Sequence, residues 1–424
     1  MSTFDLNEKQ LEAVNSLSDN VLIIAPAGSG KTSTLISAIE KYKTDNPEAR
    51  VVAITFTRKS SDDLREKLKQ YNGIYPSTIH SWAYQELEKL AMKLHEEDPN
   101  SGFKIKLLQD EKIKEILEEL LQKRRYQYVK VDILFNFVMG NYNMDINDKL
   151  RAMFQAVQRD YLEYKEKFGL YDFTDLPQYL LDKLNDYDRR IEDIDGLFVD
   201  EFQDVDDVQL ELFDRVSAAK RFYIGDPQQS IYIFRGATED VMKKLRGFKI
   251  YNLDVNYRSN QEIIDFASTY QQEAVFNPIL FSGQLESYKS SILAEKGEGG
   301  EVYVLNRAAS AYKVNEYIKY KGYDIVKEFL EKSPMILCRK NKEVRAIQAL
   351  GYSKVQTIHQ AKGLEYPHVI VTDFEVQGVE DINLSYVAMT RAEKSLLAAN
   401  YTAFMKILEK IKNDDPSFDK QSLF

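Results

Sequence analysis

The 424-residue sequence predicts an α/β protein with two parallel-sheet cores, the first interrupted by a helical insertion. Three observations predict it. Short apolar runs alternate with amphipathic helical patterns in two separate stretches, the rhythm of parallel strands joined by crossover helices. The first run leads into a small-residue loop that ends in Lys31-Thr32 and opens a helix. Between residues 84 and 195 the alternation gives way to almost continuous helical periodicity.

Taken in order, strand 20–26 precedes a helix from Lys31, and strand 49–55 precedes a helix from Lys59. Helical patterns follow, typified by 104–130 and 148–167, with an exit near the charged segment 186–195. The α/β pattern resumes at 195–200, 221–226 and 249–254. After a helix from Asn260, the segment 285–300 is rich in Ser, Glu, Lys and Gly and reads as a loop or hinge. A second set of strands is expected at 301–306, 334–339, 354–358, 368–373 and 395–400. The resulting division is a first core over 1–88 and 193–256, a helical insertion over 89–192, and a second core over 257–424.

Composition bounds the function. A charge sum of 57 Lys+Arg against 67 Asp+Glu gives −10, which argues against coating nucleic acid over the whole surface but leaves room for a local basic groove. Cys338 is the only cysteine, so an internal disulfide framework is excluded and a reducing compartment fits best. The four histidines, His80, His95, His359 and His368, form no zinc-ligand spacing. The longest apolar runs fall far below membrane-spanning length and the N-terminal ten residues carry no apolar run, so the expectation is a cytoplasmic protein without membrane contact.

Ala25-Pro26-Ala27-Gly28-Ser29-Gly30-Lys31-Thr32 has the composition of a phosphate-binding loop in a strand-then-helix context. Its small residues let successive backbone N–H groups converge on phosphate oxygens, and the following helix points its positive end at them. Residues Ala27 to Ser33 are the candidate nucleotide-binding stretch, with Lys31 at the β/γ phosphates and Thr32 on magnesium. Strand 196–199 delivers Asp200-Glu201-Phe202-Gln203-Asp204. Asp200 would hold the metal through water, and Glu201 would act as general base, a role worth about 10²- to 10⁴-fold in rate. An acidic cluster alone is more often a solvated loop; paired with the phosphate loop it reads as a Mg²⁺–ATP site.

These motifs resemble, in order and spacing from Leu6 to Arg391, superfamily 1 helicases of the UvrD/Rep/PcrA type. The resemblance implies two RecA-like cores and extends the site. Within Leu6-Asn7-Glu8-Lys9-Gln10, Gln10 would read the adenine edge. Gly225 to Ala237 looks like the family's coupling motif, with Gln229 sensing the γ-phosphate and Tyr232, Phe234 and Arg235 facing nucleic acid; Phe234 stands where the family usually has Trp. Asn256-Tyr257-Arg258-Ser259 and the stretch from Tyr386 to Ala392 supply Tyr257 to stack on adenine and Arg258 and Arg391 to reach the γ-phosphate. Any single arginine is more commonly a surface ion-pair partner, but guanidinium groups suit phosphate bidentately. Thr357 to Tyr366 resembles the motif linking the second core to DNA and nucleotide, with Thr357 and His359 toward the strand and Glu365 toward the ribose. Phe56 would stack on a base, and Thr78 and His80 would lie near backbone phosphates; a histidine beside Trp82 is more often a structural residue. Tyr171 to Leu176 resembles a recurring Asp-Phe-x-Asp-Leu stretch, and Lys123 to Tyr128 interleaves cations with aromatics as a nucleic-acid surface can.

One departure bears on activity. The interval 259–355 has room for the second core's own strands and little else, where family members usually insert an accessory domain. The resemblance implies an ATP-dependent, 3′→5′ single-strand DNA translocase and helicase using ATP and Mg²⁺, acting on single-stranded and tailed or forked duplex DNA in a prokaryotic or phage-infected cell. Two rivals stand beside it: a strand-stimulated translocase that remodels protein–DNA complexes or serves a replication, repair or nuclease partner without unwinding alone, and a nucleotide-switched binding module that never cycles.

Overall fold

Runs such as Val51-Val52-Ala53-Ile54 are apolar on both faces of an extended chain, so they fold only where helices cover both sides of a sheet. A computed structural model shows this arrangement twice. It describes residues 5–16, 20–100, 102–140, 146–231, 241–276, 292–305, 310–313, 319–372 and 379–414. The chain divides into two compact units, one of Met1–Ile23, Thr32–Gly225 and Tyr232–Tyr251, the other of Ile24–Lys31, Asp226–Ile231 and Asn252–Phe424.

The first unit holds α1 (Glu8–Asn15), β1 (Asn20–Ile24), α2 (Lys31–Asp45), β2 (Val51–Thr55), α3 (Arg58–Leu68), β3 (Ile74–Thr78) and α4 (Ile79–Glu97). The insertion adds α5 (Asp110–Lys123), α6 (Val131–Val138), α7 (Asp148–Phe168) and α8 (Leu176–Asp186). The sheet then resumes with β4 (Gly196–Val199), α9 (Asp207–Asp214), β5 (Lys220–Gly225), α10 (Val241–Lys244) and β6 (Phe248–Asn252). The strand order is β3-β2-β4-β5-β1-β6. Parallel pairing runs Val51↔Ile74, Val51↔Gly196 and Gly196↔Lys220, so Thr55, Thr78, Val199 and Gly225 end at one edge. Ligands of open parallel sheets gather at that edge. All residues of β2 and β4 are buried, as their composition requires.

The insertion is less uniform than its periodicity suggests. Residues 104–109 are not helical, because Leu108 N donates to Tyr171 O at 2.7 Å and Tyr171 N to Lys106 O at 3.1 Å, which holds the segment extended. α5 stops at Lys123 in a Schellman-type cap: Arg125 takes a left-handed φ of 61° and Tyr126 N bonds back to Leu121 O at 2.8 Å. α5, α6 and α7 then bury Leu117, Leu134, Phe137, Phe154, Val157 and Tyr161 in a core of their own.

The second unit holds β7 (Val255–Asn256), α11 (Gln261–Phe276), β8 (Leu293–Ala294), β9 (Glu301–Leu305), β10 (Ser310–Lys313), β11 (Lys319–Lys321), α12 (Gly322–Glu331), β12 (Met335–Cys338) and α13 (Asn341–Ala349). It continues with β13 (Val355–Thr357), α14 (Ile358–Ala361), β14 (Tyr366–Val371), α15 (Val379–Met389), β15 (Ala392–Ala399) and α16 (Tyr401–Asp414). Its sheet has the order β11-β10-β9-β15-β14-β12-β13, parallel from β9 to β13. β10 and β11 add an antiparallel edge absent from the sequence expectation. Ser310-Ala311-Tyr312-Lys313 and Lys319-Tyr320-Lys321 are too short and polar to read as core strands, and lysines suit a sheet edge. Part of the expected loop at 285–300 is also strand, since Leu293–Ala294 pairs in parallel with Val255–Asn256. Phe329, Ile347, Phe404, Leu408 and Ile411 anchor α12, α13 and α16 on the sheet. Among the described residues no helix is long and apolar enough to cross a membrane.

Candidate functional site

The candidate phosphate loop owes its shape to Gly28 and Gly30, whose φ angles of 75° and 80° lie where a side chain is strained. Ser29 N and Oγ both donate to Pro26 O, at 3.1 and 2.7 Å, closing the turn, and Lys31 Nζ lies 3.4 Å from Ala25 O. Ala27 and Ser29 are buried, while Lys31 and Ser33 are half-buried. In the second unit this loop is held by the segment that follows β6. Asn256 Nδ2 donates to Ala27 O at 2.6 Å, and Tyr257 N to Gly28 O at 2.8 Å. The other end of the Asn256 amide accepts from Arg258 N and Ser259 N, both at 2.8 Å. A single buried side chain thus ties the loop carbonyls to the start of the Arg258 backbone. Asn256 was part of the sequence motif but carried no assigned role; only the three-dimensional proximity reveals it.

The two candidate arginines differ. Arg391 is 1% exposed and spends its guanidinium on Val387 O (2.9 Å), Leu364 O (3.3 Å), Thr390 Oγ1 (3.3 Å) and Gln229 Oε1 (3.2 Å). Arg258 donates to Thr390 O at 3.1 Å and to Glu365 Oε1 at 2.7 Å, yet its buried Nε has no partner among the described residues. An orphaned N–H of this kind calls for an acceptor. Glu365 is exposed, and Tyr257 is half-buried.

Gln229 is a junction. Its Nε2 donates to Asp226 Oδ2 at 2.6 Å, its Oε1 receives Arg391, and its carbonyl accepts Lys362 Nζ at 3.1 Å. Asn383 Nδ2 holds the next carbonyl, that of Ser230, at 3.0 Å. Lys362 lies inside the 357–366 motif but carried no assigned role, and Asn383, far from Gln229 in sequence, carried no signal that would pick it out. Burial, with the Asp226 carboxylate beside it, pushes the Tyr386 phenol well above the ordinary range.

In the first unit, Asp200 continues the ladder of β4, its N donating to Ile54 O at 2.9 Å, and its carboxylate accepts from Glu201 N at 2.9 Å. Asp200 is 8% exposed, whereas Thr32 is exposed. Glu201 has φ 49° and ψ 43°, left-handed backbone that is uncommon outside glycine and clusters at functional sites. Gln10 is buried, and its Oε1 accepts from Asn7 N at 2.9 Å in a capping box at the start of α1.

The strand-contacting candidates of the first unit lie at the ends of β2 and β3. Phe56 follows β2 and is half-buried. Thr78 caps α4, its Oγ1 accepting from Ser81 N at 3.4 Å. His80 stacks on Phe173 with ring centroids 5.2 Å apart, and Arg58 lies over the Phe173 ring at 5.7 Å. Burial lowers the His80 pKa to about 4 against the pull of Asp172, so the ring is neutral near pH 7. Phe173, inside the Asp-Phe-Thr-Asp stretch, was not singled out, although its motif was. In the second unit Thr357 caps α14 in a capping box with Gln360, and His359 is half-buried on that helix. Tyr232, Phe234 and Arg235 lie outside the described residues.

Two stretches of the chain match known protein families. Residues 6–248 match the UvrD/REP helicase N-terminal domain, and 352–398 match the UvrD-like helicase C-terminal domain. The chain is 27% identical over 373 residues to a probable DNA helicase II homolog of Mycoplasma capricolum, covering 79% of this chain and 49% of that protein. It is 27% identical over 361 residues to the ATP-dependent DNA helicase Rep of Buchnera aphidicola from Acyrthosiphon pisum, covering 76% and 54%. A probable DNA helicase of Mycoplasma pneumoniae is 24% identical over 470 aligned positions, covering 96% and 87%. The chain therefore spans about half the length of the first two relatives. Because one family description covers more than half of the sequence, from the segment before the phosphate loop to the start of β6, the protein belongs to the UvrD/REP helicase family.

Proposed function

We propose that the protein is an ATP-dependent DNA helicase and single-strand DNA translocase that moves 3′→5′. The observation that carries this reading is the Gln229 junction. One amide bonds Asp226 and Arg391, while its own carbonyl is held by Lys362 of the 357–366 motif. A group so connected transmits a change at phosphate-facing residues to strand-facing ones.

In this reading Lys31 and the loop N–H groups bind the triphosphate, and Tyr257 and Gln10 contact the base. Arg258, with an unspent Nε, and Arg391 compensate charge developing on the γ-phosphate, a contribution of about 10³- to 10⁵-fold in such enzymes. Glu201 accepts a proton from the attacking water. Thr32 and Asp200 are hard oxygen donors that fit Mg²⁺, and among the described residues no cluster of three His, Cys, Asp or Glu offers a competing metal site. When bound, the ion would neutralise phosphate charge. Phe56 with the His80–Phe173 stack on one core, and Thr357 with His359 on the other, would grip the strand in turn.

A second reading, a translocase that serves a partner protein without unwinding duplex alone, is favoured by the described part of 259–355, which is taken up by α11, β8 to β13, α12 and α13 of the second core itself. ATP turnover with and without single-stranded DNA, followed by strand displacement on duplexes with a 3′ or a 5′ tail, separates the two. Strand-stimulated turnover with displacement of the 3′-tailed duplex is expected, and stimulation without displacement selects the second reading. Glu201→Gln should bind ATP normally and lose about 10²- to 10⁴-fold in turnover; full activity would remove Glu201 from the mechanism.

A further inference from the structure

We infer that Gln203 is the positioning residue for Glu201, holding the base aimed, and that Gly225 is glycine to make room for it. This inference rests on the reading of Glu201 as the general base.

Gln203 is only 2% exposed, and its Nε2 donates to Glu201 Oε2 at 2.5 Å. The orientation is chemically fixed, because an ionised carboxylate only accepts and the amide nitrogen is the only end of Gln203 that donates. The opposite end of the amide lies against β5. A Cβ built on Gly225 would collide with Gln203 Oε1, and it would stand 3.0 Å from Gln203 N and 2.5 Å from Met242 Cε. The turn bearing both residues is pinned on either side. Phe202 stacks on Tyr223 at 4.5 Å with 12° between planes, and Asp204 N donates to Glu201 O at 3.0 Å. Glu201 itself sits in left-handed backbone, a conformation that the pinned turn must hold.

The test is single-turnover ATP hydrolysis at saturating single-stranded DNA for the wild type, Gln203→Met, Gln203→Glu and Gly225→Ala, with KM for ATP determined alongside. Gln203→Met keeps the volume and removes the donor. Turnover should fall about tenfold or more, with KM changed by less than about twofold. Gln203→Glu, which keeps the shape but puts an acceptor where the donor stands, should lose at least as much turnover, again with KM nearly unchanged. Gly225→Ala, which displaces the amide without altering it, should lower turnover at nearly unchanged KM in the same way and serves if the Gln203 variants fail to fold by circular dichroism. A KM that worsens in step with turnover in all three would overturn the inference and leave Gln203 a packing residue, as would wild-type behaviour of Gln203→Met. Full activity in Glu201→Gln would instead defeat the base assignment beneath it, so the two failures are distinguishable.

Discussion

Gly28 carries two constraints at once. Its φ of 75° disfavours any side chain, and a Cβ there would stand 2.7 Å from Asn256 Nδ2 and 2.8 Å from Arg258 Cβ. Gly28→Ala should therefore abolish ATP binding, measured by equilibrium titration with a fluorescent ATP analogue, because relief requires moving both the loop and the Arg258 backbone. His80 gives a pH signature. Its pKa in the folded protein, about 4, lies below the ordinary 6.5, so the unfolded chain binds more protons in between. The stabilising effect of keeping the ring neutral is complete above pH 6.5 and is lost as pH falls toward 4. Melting temperature should decline across that window, and less steeply in His80→Gln. At this scale the phosphate loop was legible because its chemistry is local: eight consecutive residues make the turn. Gln10, Thr78 and Thr357 were legible as motif members, but their helix-capping bonds were not separated from ligand contact. Asn7-x-x-Gln10 has capping-box spacing, a signal that was there to be read.

The elements of the insertion depend on a buried charge cluster. Lys165 Nζ, on α7, lies 2.7 Å from Asp172 Oδ2 and 2.6 Å from Asp175 Oδ2, and Tyr161 OH donates to Asp172 Oδ2 at 3.0 Å. Burial pushes the Asp172 carboxyl up, but the Lys165 ammonium and the bonds from Thr174 outweigh it and hold the group below its usual range. Asp175 moves up, through burial and then through the charge of Asp172. Two carboxylates thus depend on one ammonium. Lys165→Met should cost about 3–5 kcal/mol, read as a lower denaturation midpoint, because it leaves the buried Asp172 without a cation. The sequence displayed the aspartates of this cluster as a family-like stretch, but Lys165 sat among many helical lysines with nothing to distinguish it. The extended segment before α5 was equally hidden, since its partner strand residue, Tyr171, is more than sixty positions away.

For the molecule as a whole, the two-sheet plan could be read from the alternation of apolar runs and helices, because strands covered on both faces must be apolar throughout. The antiparallel edge of the second sheet could not, since edge strands such as β10 and β11 need no apolar alternation to pair. The contacts around Gln229 depend on which distant segments share a unit, and spacing does not reveal that. The joint beneath the α5–α7 bundle has a different consequence. The bundle carries its own apolar core but is fastened by two backbone bonds at Leu108 and Tyr171 and by an enclosed ammonium, none of which uses its outward side. Exposed positions of these helices, such as Glu118 and Asn136, take no part in those bonds, so their substitution should leave the seat of the bundle intact.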